Sequence, residues 1–436
     1  MQIPEVKPKV GFLTATSLVA GNMIGSGIFL LPAALAFYGG ISIYGWLLSG
    51  IGAIFLALVF GRLSKLVPNS GGPYAYTREG FGDFAGFIVS WGYWISIICT
   101  NAAISITFVS YLSVFIPILA ASNLMSALIA IGTVWLLTWI NSLGVKSAGQ
   151  MQVVTTILKI VPLLAVSIMG IFYLNIHHFH PWNISSQSNM GAVGATVALT
   201  FFAFMGMESA TIPAEDVKDA TKVIPRATIT GTVLVLLIYI LSYVALVGLI
   251  PPESLQQSNS PFADGAGLIW GNAGRYIIGL GAIISTFGAL NGWILLQGQV
   301  PYAIARDKLF PPVLSKVNIR KAPVNGLVVS SIFITILVIS NFTKGLVGMF
   351  TFMILLTTVV VIIPYLFCTL AEILILIKRQ KDKISFIKPL LVGVPAFLYL
   401  MWALTGVGKE EVYYGFLLIL SGIPFYAFIK YKTRSL

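Results

Sequence analysis

Long apolar runs alternate with short polar segments from one end of the chain to the other. Many runs exceed about 18 residues, and a helix of that length, rising about 1.5 Å per residue, crosses most of a hydrocarbon layer of about 30 Å. The pattern predicts about twelve membrane-spanning helices, at residues 10–37, 42–66, 84–117, 124–143, 149–174, 190–211, 227–250, 274–299, 324–341, 346–377, 388–407 and 412–430. We therefore expect an all-α polytopic membrane protein.

The composition indicates the same class. The chain has 436 residues, of which 57% are hydrophobic and only 9% are charged, and its mean hydropathy is +0.93. Soluble domains do not reach these values. Cys99 and Cys368 both fall inside predicted spans, where cysteine behaves as a small hydrophobic residue, so we expect no disulfide framework, no metal site and no cofactor.

The 26 lysine and arginine residues are distributed unevenly between alternate polar segments. One set of loops holds only Arg275, Lys344 and Lys409, while the other set and the termini hold nearly all the rest. Since cytoplasmic loops carry an excess of basic residues, the distribution predicts that both termini are cytoplasmic. The net charge of +12 then reflects loops that face anionic lipids, and it does not indicate nucleic-acid binding.

Two of the predicted spans contain residues that interrupt a helix. The stretch GNMIGSGIF, from Gly21 to Phe29, places three glycines, a serine and an asparagine inside the first run. In the sixth run, Gly206 and Glu208 form a second interruption. Glycines that allow close helix packing would explain one of these features but not both. Interrupted helices at matching places in two halves are typical of inverted-repeat transporters with a central binding site.

A broken helix leaves backbone groups that a substrate can satisfy. The N–H groups after the first break, at the positive end of a half-helix, suit a carboxylate; they belong to Ser26, Gly27 and Ile28. The carbonyl groups before the second break suit an ammonium; they lie around Phe202, Ala203 and Met205. Together these groups would receive the two ends of an α-amino acid.

Lys159 is the one basic residue that remains once those in the loops, at the span ends and in the termini are counted, and it lies deep inside a predicted span. It lies about ten residues past the polar start of its run, about 15 Å deep at 1.5 Å per residue. That is too deep for its side chain to reach the interface, so the position marks a functional site by default. The alternative is a structural lysine that binds carbonyl groups of a broken neighbouring helix.

Other classes of membrane protein have less support in the sequence. No GxxxxGKS/T or DKTG motif indicates an ATP-driven pump, and no repeated carbonyl motif indicates a channel filter. Neither an HExxH motif nor intramembrane aspartates indicate an enzyme. An amino acid sensor without transport stays open, since it would bind substrate but show no counterflow.

The chain resembles the amino acid/polyamine/organocation superfamily, specifically its basic amino acid/polyamine antiporter branch, in GNMIGSGIFLLPA, SGGPYAYTREGFG, ESATIPAEDVKDATKVIPRA and ARDKLFPP. The resemblance, closest to bacterial arginine/agmatine antiporters, implies one transmembrane domain with a five-plus-five inverted repeat, at about residues 10–174 and 190–377, and two extra helices at about 388–430. The first and sixth helices would be broken. It also implies exchange by alternating access in the bacterial inner membrane, no enzymatic activity and, in many members, a homodimer.

The resemblance implies roles for individual residues. Ser26 and Gly27 would hold a carboxylate, Ile24 would help receive the amino group, and Trp293 would offer its ring face to a cationic group. The implied substrate-binding set is Asn22, Ile24, Ser26, Gly27, Tyr93, Asn101, Phe202, Ala203, Met205, Trp293 and Thr357. The residues implied in gating or proton coupling are Lys159, Glu208 and Tyr365, with Tyr93 beside them and Glu208 as a proton-sensitive switch.

Three departures from the arginine/agmatine antiporters bear on the substrate. Phe202 stands in place of a tryptophan, Ile104 in place of a methionine, and Lys159 in place of an apolar residue. Proton-coupled and exchanging permeases of the same superfamily carry a lysine at that last position. We expect an antiporter of cationic amino acids such as arginine, lysine or their amines, because of Trp293 and because of the resemblance to the basic amino acid/polyamine antiporter branch. The alternative is a proton-coupled or exchanging permease for neutral amino acids, which Lys159 and Phe202 favour.

Overall fold

α-Helices form most of the chain. The computed structural model describes residues 10–68, 71–144, 148–212, 214–379 and 386–434. The helices are α1 Phe12–Met23, α2 Gly27–Ala36, α3 Ser42–Leu66, α4 Pro73–Phe81, α5 Asp83–Leu112, α6 Ile118–Ala121, α7 Asn123–Ser142, α8 Ala148–Phe172, α9 Asn189–Phe201, α10 Ala220–Leu249, α11 Pro252–Gln256, α12 Pro261–Arg306, α13 Val324–Asn341, α14 Gly345–Lys378, α15 Ile387–Thr405, α16 Lys409–Leu420 and α17 Gly422–Arg434. Within those ranges the β-type pairing is a single isolated bridge, between Val10 and Val217. The predicted all-α fold is confirmed.

Ten helical segments of the described ranges are long and apolar enough to cross a membrane. One of them, Val324–Lys378, contains both α13 and α14, joined by a short 3₁₀ turn, so it covers two predicted spans. The predicted span 149–174 coincides with α8. The chain is therefore a multi-pass membrane protein, while the count of about twelve and the inverted repeat stay predictions.

Several predicted boundaries differ from the structure. α10 begins at Ala220 and not at 227, α12 ends at Arg306 and not at 299, and the predicted span 412–430 is divided between α16 and α17. α5 ends at Leu112, five residues before the predicted end, because an apolar turn follows it and prolongs the apolar run without continuing the helix. α12 begins at Pro261, well before the predicted residue 274, and bends at Gly271, where φ is +66°. Hydropathy alone does not register a helix that continues through such a bend.

The first apolar run is divided into two helices, as predicted. α1 ends at Met23, Ile24 leaves the helical backbone with ψ near 80°, and α2 begins at Gly27. The N–H of Gly25 donates to the carbonyl of Met23 at 2.8 Å. The first N–H groups of α2 have no partner within their own helix and lie at the positive end of its dipole.

The second break follows α9. After Phe201 a 3₁₀ turn covers Phe202–Phe204, and Met205 is extended, with φ −65° and ψ 146°. Gly206 then has φ +95°, a conformation that side chains other than glycine rarely adopt. The predicted interruption of this helix is confirmed.

Packed helices enclose both breaks. α1 packs against α8 and α10, and α9 packs against α3. α5 lies between α12 and α14, and nearly all of its residues from Ala85 to Tyr111 are buried. Ser26 and Met205, one in each break, are only 1% and 3% exposed. The interrupted backbone therefore faces the protein interior and not the lipid, as a membrane protein requires.

Candidate functional site

The two breaks touch each other at two points. A Cβ added to Gly27 would lie 3.1 Å from the Cβ of Ala203, and one added to Gly206 would lie 3.1 Å from the Cβ of Asn22. Both contacts are tighter than ordinary van der Waals packing, so larger side chains would push the breaks apart. Glycine at these positions lets the two unwound segments cross at backbone distance.

Tyr239 of α10 joins the two breaks through one hydroxyl group. It lies 2.6 Å from the carbonyl oxygen of Met23 and 3.2 Å from that of Ala203, and its side chain is fully buried. These carbonyls lie at the ends of α1 and α9, where helices leave acceptors without partners. Sequence reasoning missed Tyr239; a polar ring in the middle of an apolar run was the available signal.

A small cavity lies between the breaks. Its lining consists of Asn22, Met23, Gly25, Ser26, Gly27, Thr100, Ile104, Phe202, Met205 and Trp293. Its volume is about 10 Å³, counted as space open to the centre of a water molecule, close to the minimum for one water. The helices are therefore closed around the site, which has room for about one water molecule in this conformation.

Two hydroxyl groups at this cavity have no hydrogen-bond partner among the described residues. They are the Oγ of Ser26 and the Oγ1 of Thr100, and both side chains are at most 3% exposed. Ser26 directly precedes α2, and the first N–H groups of α2 point out of its N-terminal end, where the helix dipole is positive. Buried polar groups in native proteins normally have partners, so this set indicates a place for a polar ligand.

Six of the predicted substrate-binding residues line the cavity: Asn22, Ser26, Gly27, Phe202, Met205 and Trp293. Met23, Gly25 and Thr100 join them without having been predicted to bind substrate, and Ile104 was noted only as a departure. Thr100 could not be distinguished from its neighbours by sequence, since every residue nearby on α5 is buried.

The other five predicted residues lie around the cavity but do not line it. Asn101 donates its side-chain N–H to Gln297 at 2.7 Å, and the hydroxyl of Thr357 donates to the carbonyl of Met353 at 2.7 Å. Ala203 contacts Gly27 and Tyr239, and Ile24 lies fully buried in the first turn of the break. The fifth, Tyr93, contacts Glu208. Their roles in substrate binding stay predictions.

Glu208, Tyr93 and Tyr365 form one hydrogen-bonded group, here called the Glu208 cluster. The hydroxyl of Tyr93 donates to one carboxyl oxygen of Glu208 at 2.8 Å, and that of Tyr365 donates to the other at 2.6 Å. The N–H of Gly206 donates to the second oxygen at 3.2 Å. Glu208 is fully buried, so the cluster joins the second break to α5 and α14 in the interior.

Lys159 of α8 reaches the first break. Its Nζ donates to the carbonyl of Gly21 at 3.0 Å, and the residue is 2% exposed. Gly21 lies in the last turn of α1, where the helix dipole favours a cation. Lys159 does not line the cavity. The structure therefore places its ammonium group outside the cavity lining, on the carbonyl oxygen of Gly21 in the interrupted helix.

Ion pairs connect helices at the face that the basic residues predict to be cytoplasmic. Arg62 of α3 lies 2.8 Å from Glu372 of α14, a carboxylate that is only 3% exposed. Arg78 of α4 pairs with Asp83 at 3.0 Å and with Asp307 at 3.3 Å. Glu372 was not singled out from the sequence, because it lies near the polar end of its apolar run. These pairs tie α3, α4, α5, α12 and α14 together.

Comparison with known proteins identifies the family of the chain. The family described as amino acid permease matches residues 10–427. The putrescine transporter PotE of Haemophilus influenzae is 32% identical over 97% of this chain and 98% of its own length. The cadaverine/lysine antiporter of Escherichia coli is 32% identical over 98% of this chain and 96% of its own length. The arginine/ornithine antiporter of Pseudomonas aeruginosa is 33% identical over 98% and 92%. The chain therefore belongs to the amino acid permease family.

Proposed function

We propose that the protein is an antiporter that exchanges cationic amino acids and their amines across the bacterial inner membrane by alternating access. The observation that carries the proposal is the cavity where two broken helices cross, with the buried, unpaired hydroxyls of Ser26 and Thr100 beside the start of α2. The substrate class is supported by three relatives of nearly full length, which are named for putrescine, for cadaverine and lysine, and for arginine and ornithine.

The proposed binding mode assigns each end of an amino acid to one break. The carboxylate would accept hydrogen bonds from the first N–H groups of α2 and from Ser26 and Thr100, at the positive end of the helix dipole. The ammonium would approach the carbonyl groups near Phe202 and Met205, which retain lone pairs because a carbonyl oxygen has two. The side chain would then extend towards Trp293, whose ring attracts a cation.

Lys159 bears on the choice between cationic and neutral substrates. A fixed cation in the pocket would repel a basic side chain, but its Nζ contacts Gly21 and the residue is outside the cavity lining. This arrangement supports a cationic substrate. The second candidate is a permease that exchanges neutral amino acids or couples them to protons; it is favoured by Lys159 as a buried group able to bind and release a proton, and by the absence of acids from the cavity lining.

The proposal includes proton coupling and assigns it to two groups, Lys159 and Glu208. Protonation of Glu208 would turn one of its acceptors into a donor facing tyrosine hydroxyls that already donate to it. The charge-assisted hydrogen bonds of the cluster would then be replaced by weaker neutral ones, which would loosen the contact between the second break and its neighbours. We further propose cytoplasmic termini, as the basic loops indicate, and a homodimer, which the mass of the solubilised protein by light scattering would test.

The test is counterflow in liposomes that contain the purified protein. Vesicles preloaded with unlabelled lysine are expected to accumulate labelled lysine, arginine, ornithine or cadaverine, and vesicles without an internal substrate are not. A panel that includes alanine and serine at two pH values distinguishes the candidates. Uptake of alanine or serine without uptake of any cationic substrate would favour the neutral permease. Specific binding without any counterflow would favour a sensor.

A further inference from the structure

A second and larger cavity opens at the face opposite the one predicted to be cytoplasmic. Its volume is about 650 Å³, within the range of about 300–1,000 Å³ that is usual for small-molecule sites. It lies between α2, α9, α14 and the turn that joins α15 to α16, and it shares no lining residue with the central cavity. We call it the outer cavity. It has room for an amino acid in the conformation that closes the central site.

The outer cavity leads towards the central cavity along one side of α9. Gly191, Ala195 and Leu199 line it at intervals of four residues, and Phe202, three residues further, lines the central cavity. At 1.5 Å per residue, Gly191 and Leu199 are about 12 Å apart along the axis, and Phe202 lies about one turn deeper. The ring of Phe202 packs edge-on against Phe350 of α14, with centroids 6.2 Å apart. The two cavities are thus in line, with Phe202 between them.

The outer cavity contains a carboxylate without a cationic partner. Glu411 lines it and takes part in none of the ion pairs formed by the described part of the chain. The lining also contains one cation, Lys344, whose Nζ lies 3.5 Å from Glu410, an acid outside the lining. Burial raises the pKa of Tyr38, which also lines the cavity, and the negative charge of Glu411 raises it further. Glu411 is therefore the one carboxylate among the described residues of the lining, and none of the ion pairs above includes it.

The remaining polar groups of the outer cavity suit an alkylammonium group. Gln187, Gln256 and Gln257 contribute amide oxygens that can accept from it, and Gln256 is held in place by donating to the carbonyl of Ala36 at 3.3 Å. The ring of Phe352 already has the ammonium of Lys344 at 3.8 Å from its centroid. The ring is thus occupied by a resident ammonium in this conformation, so an incoming alkylammonium group would bind at Glu411 and the glutamine amides.

We propose that the outer cavity is a waiting site, in which Glu411 holds the alkylammonium group of an incoming cationic amino acid or diamine before Phe202 moves and admits it to the central site. The inference rests on the proposed function, because it assigns the cargo of the same transporter. It adds a residue, Glu411 at the outer cavity, that selects for cationic substrates before they reach the central cavity.

The test compares Glu411→Gln with Glu253→Gln in oriented proteoliposomes. Glu253 is a matched control, because it is an exposed acid on α11 at the same face and does not line the outer cavity. For lysine added at the outer face, Glu411→Gln is expected to raise KM about three- to tenfold, which corresponds to about 0.7–1.4 kcal/mol. The maximal rate and the KM measured from the opposite face should stay within a factor of two, and Glu253→Gln should change nothing. Glu411→Asp should recover part of the loss.

Equilibrium binding to the solubilised protein tests the same proposal without transport. Dialysis with labelled lysine is expected to find two bound molecules per chain for the unchanged protein and one for Glu411→Gln, because the weaker site is lost. The difference between the two proteins should be larger at low salt, where the attraction between Glu411 and an ammonium is less screened. Equal effects of Glu411→Gln and Glu253→Gln on KM, or unchanged stoichiometry, would overturn the waiting site while leaving exchange itself intact. Absence of counterflow with every cationic substrate would instead refute the proposed function, and the dialysis would still decide whether Glu411 binds lysine.

Discussion

Removal of one hydroxyl group from the Glu208 cluster should open the protein towards the predicted cytoplasmic face. The change is Tyr365→Phe, which deletes the donor that lies 2.6 Å from the carboxyl group of Glu208 and adds no atoms to a fully buried site. If the cluster exists only while this side is closed, the variant weakens the closed conformation and leaves the open one unchanged.

The magnitude follows from the charge on Glu208. A hydrogen bond to a charged group contributes about 1.5–3 kcal/mol, whereas one between neutral groups contributes about 0.5–1.5 kcal/mol. At about 1.4 kcal/mol per tenfold, an ionised Glu208 predicts an increase of about 10- to 150-fold in the open-to-closed ratio, and a neutral one predicts less than about 12-fold. The size of the effect thus reports the protonation state of the carboxyl group in the closed conformation.

The chain contains its own reporter for this equilibrium. Cys368 lies one turn beyond Tyr365 on α14, is fully buried, and contacts the carbonyl of Pro73 on α4 at 3.8 Å. In a Cys99→Ser background, a membrane-impermeant maleimide added from the predicted cytoplasmic face should react with Cys368 only when this side opens. We expect Tyr365→Phe to raise the labelling rate of Cys368 by the same factor as the open-to-closed ratio. The increase should level off once most molecules are open.

A second buried tyrosine serves as the control. The hydroxyl of Tyr243 is hydrogen-bonded to that of Ser42, between α10 and α3 and away from Glu208. Tyr243→Phe should therefore lower stability without increasing the labelling of Cys368. Equal labelling of both variants, or an unchanged labelling rate in Tyr365→Phe, would refute the reasoning that the Glu208 cluster holds this side closed.

Two further predictions concern buried charges. Arg62→Met is expected to lower the free energy of unfolding by about 3–5 kcal/mol, because Glu372, 3% exposed, would keep a buried charge without its partner. Thermal unfolding of the solubilised protein checks this, and the double variant Arg62→Met/Glu372→Gln should recover most of the loss; a double variant as unstable as the single one would argue against pairing. Lys159→Ala is expected to slow exchange at least about tenfold, because the end of α1 loses a charged hydrogen bond of about 1.5–3 kcal/mol. Unchanged rate and unchanged pH dependence in that variant would exclude Lys159 from both support of the break and proton coupling.

The sequence predicted best those features in which a glycine or a polar residue stands inside an apolar run. Glycines and polar residues inside apolar runs marked both breaks, and the structure interrupts the helices at Ile24 and at Phe202. Lys159 was expected either to serve function directly or to bind carbonyl groups of a broken neighbour, and its hydrogen bond to Gly21 is of the second kind. A single misplaced polar group is costly in a membrane, so each such residue carries information by itself.

The features that sequence did not predict depend on which helices lie side by side. Tyr239 connects two segments that are more than 170 residues apart in the chain, and nothing in its own run identifies the partners. Asn101 and Thr100 are neighbours with similar burial, yet one pairs with Gln297 and the other lines the cavity. Successive helix positions point about 100° apart, so the choice depends on the rotation of α5, which packing against α12 and α14 determines.

Three separate elements bound the central cavity: the start of α2, the second break, and Trp293 on α12. In the proposed binding mode these hold the carboxylate, the ammonium and the side chain of one amino acid, each on a different element. The mirror-image amino acid cannot satisfy all three at once, since exchanging any two of its groups moves the third away from its partner. A diamine, the product of decarboxylating a basic amino acid, has no stereocentre and engages only the groups that bind cations. The same pocket should therefore discriminate between the two mirror images of an amino acid, a distinction that does not arise for the diamine.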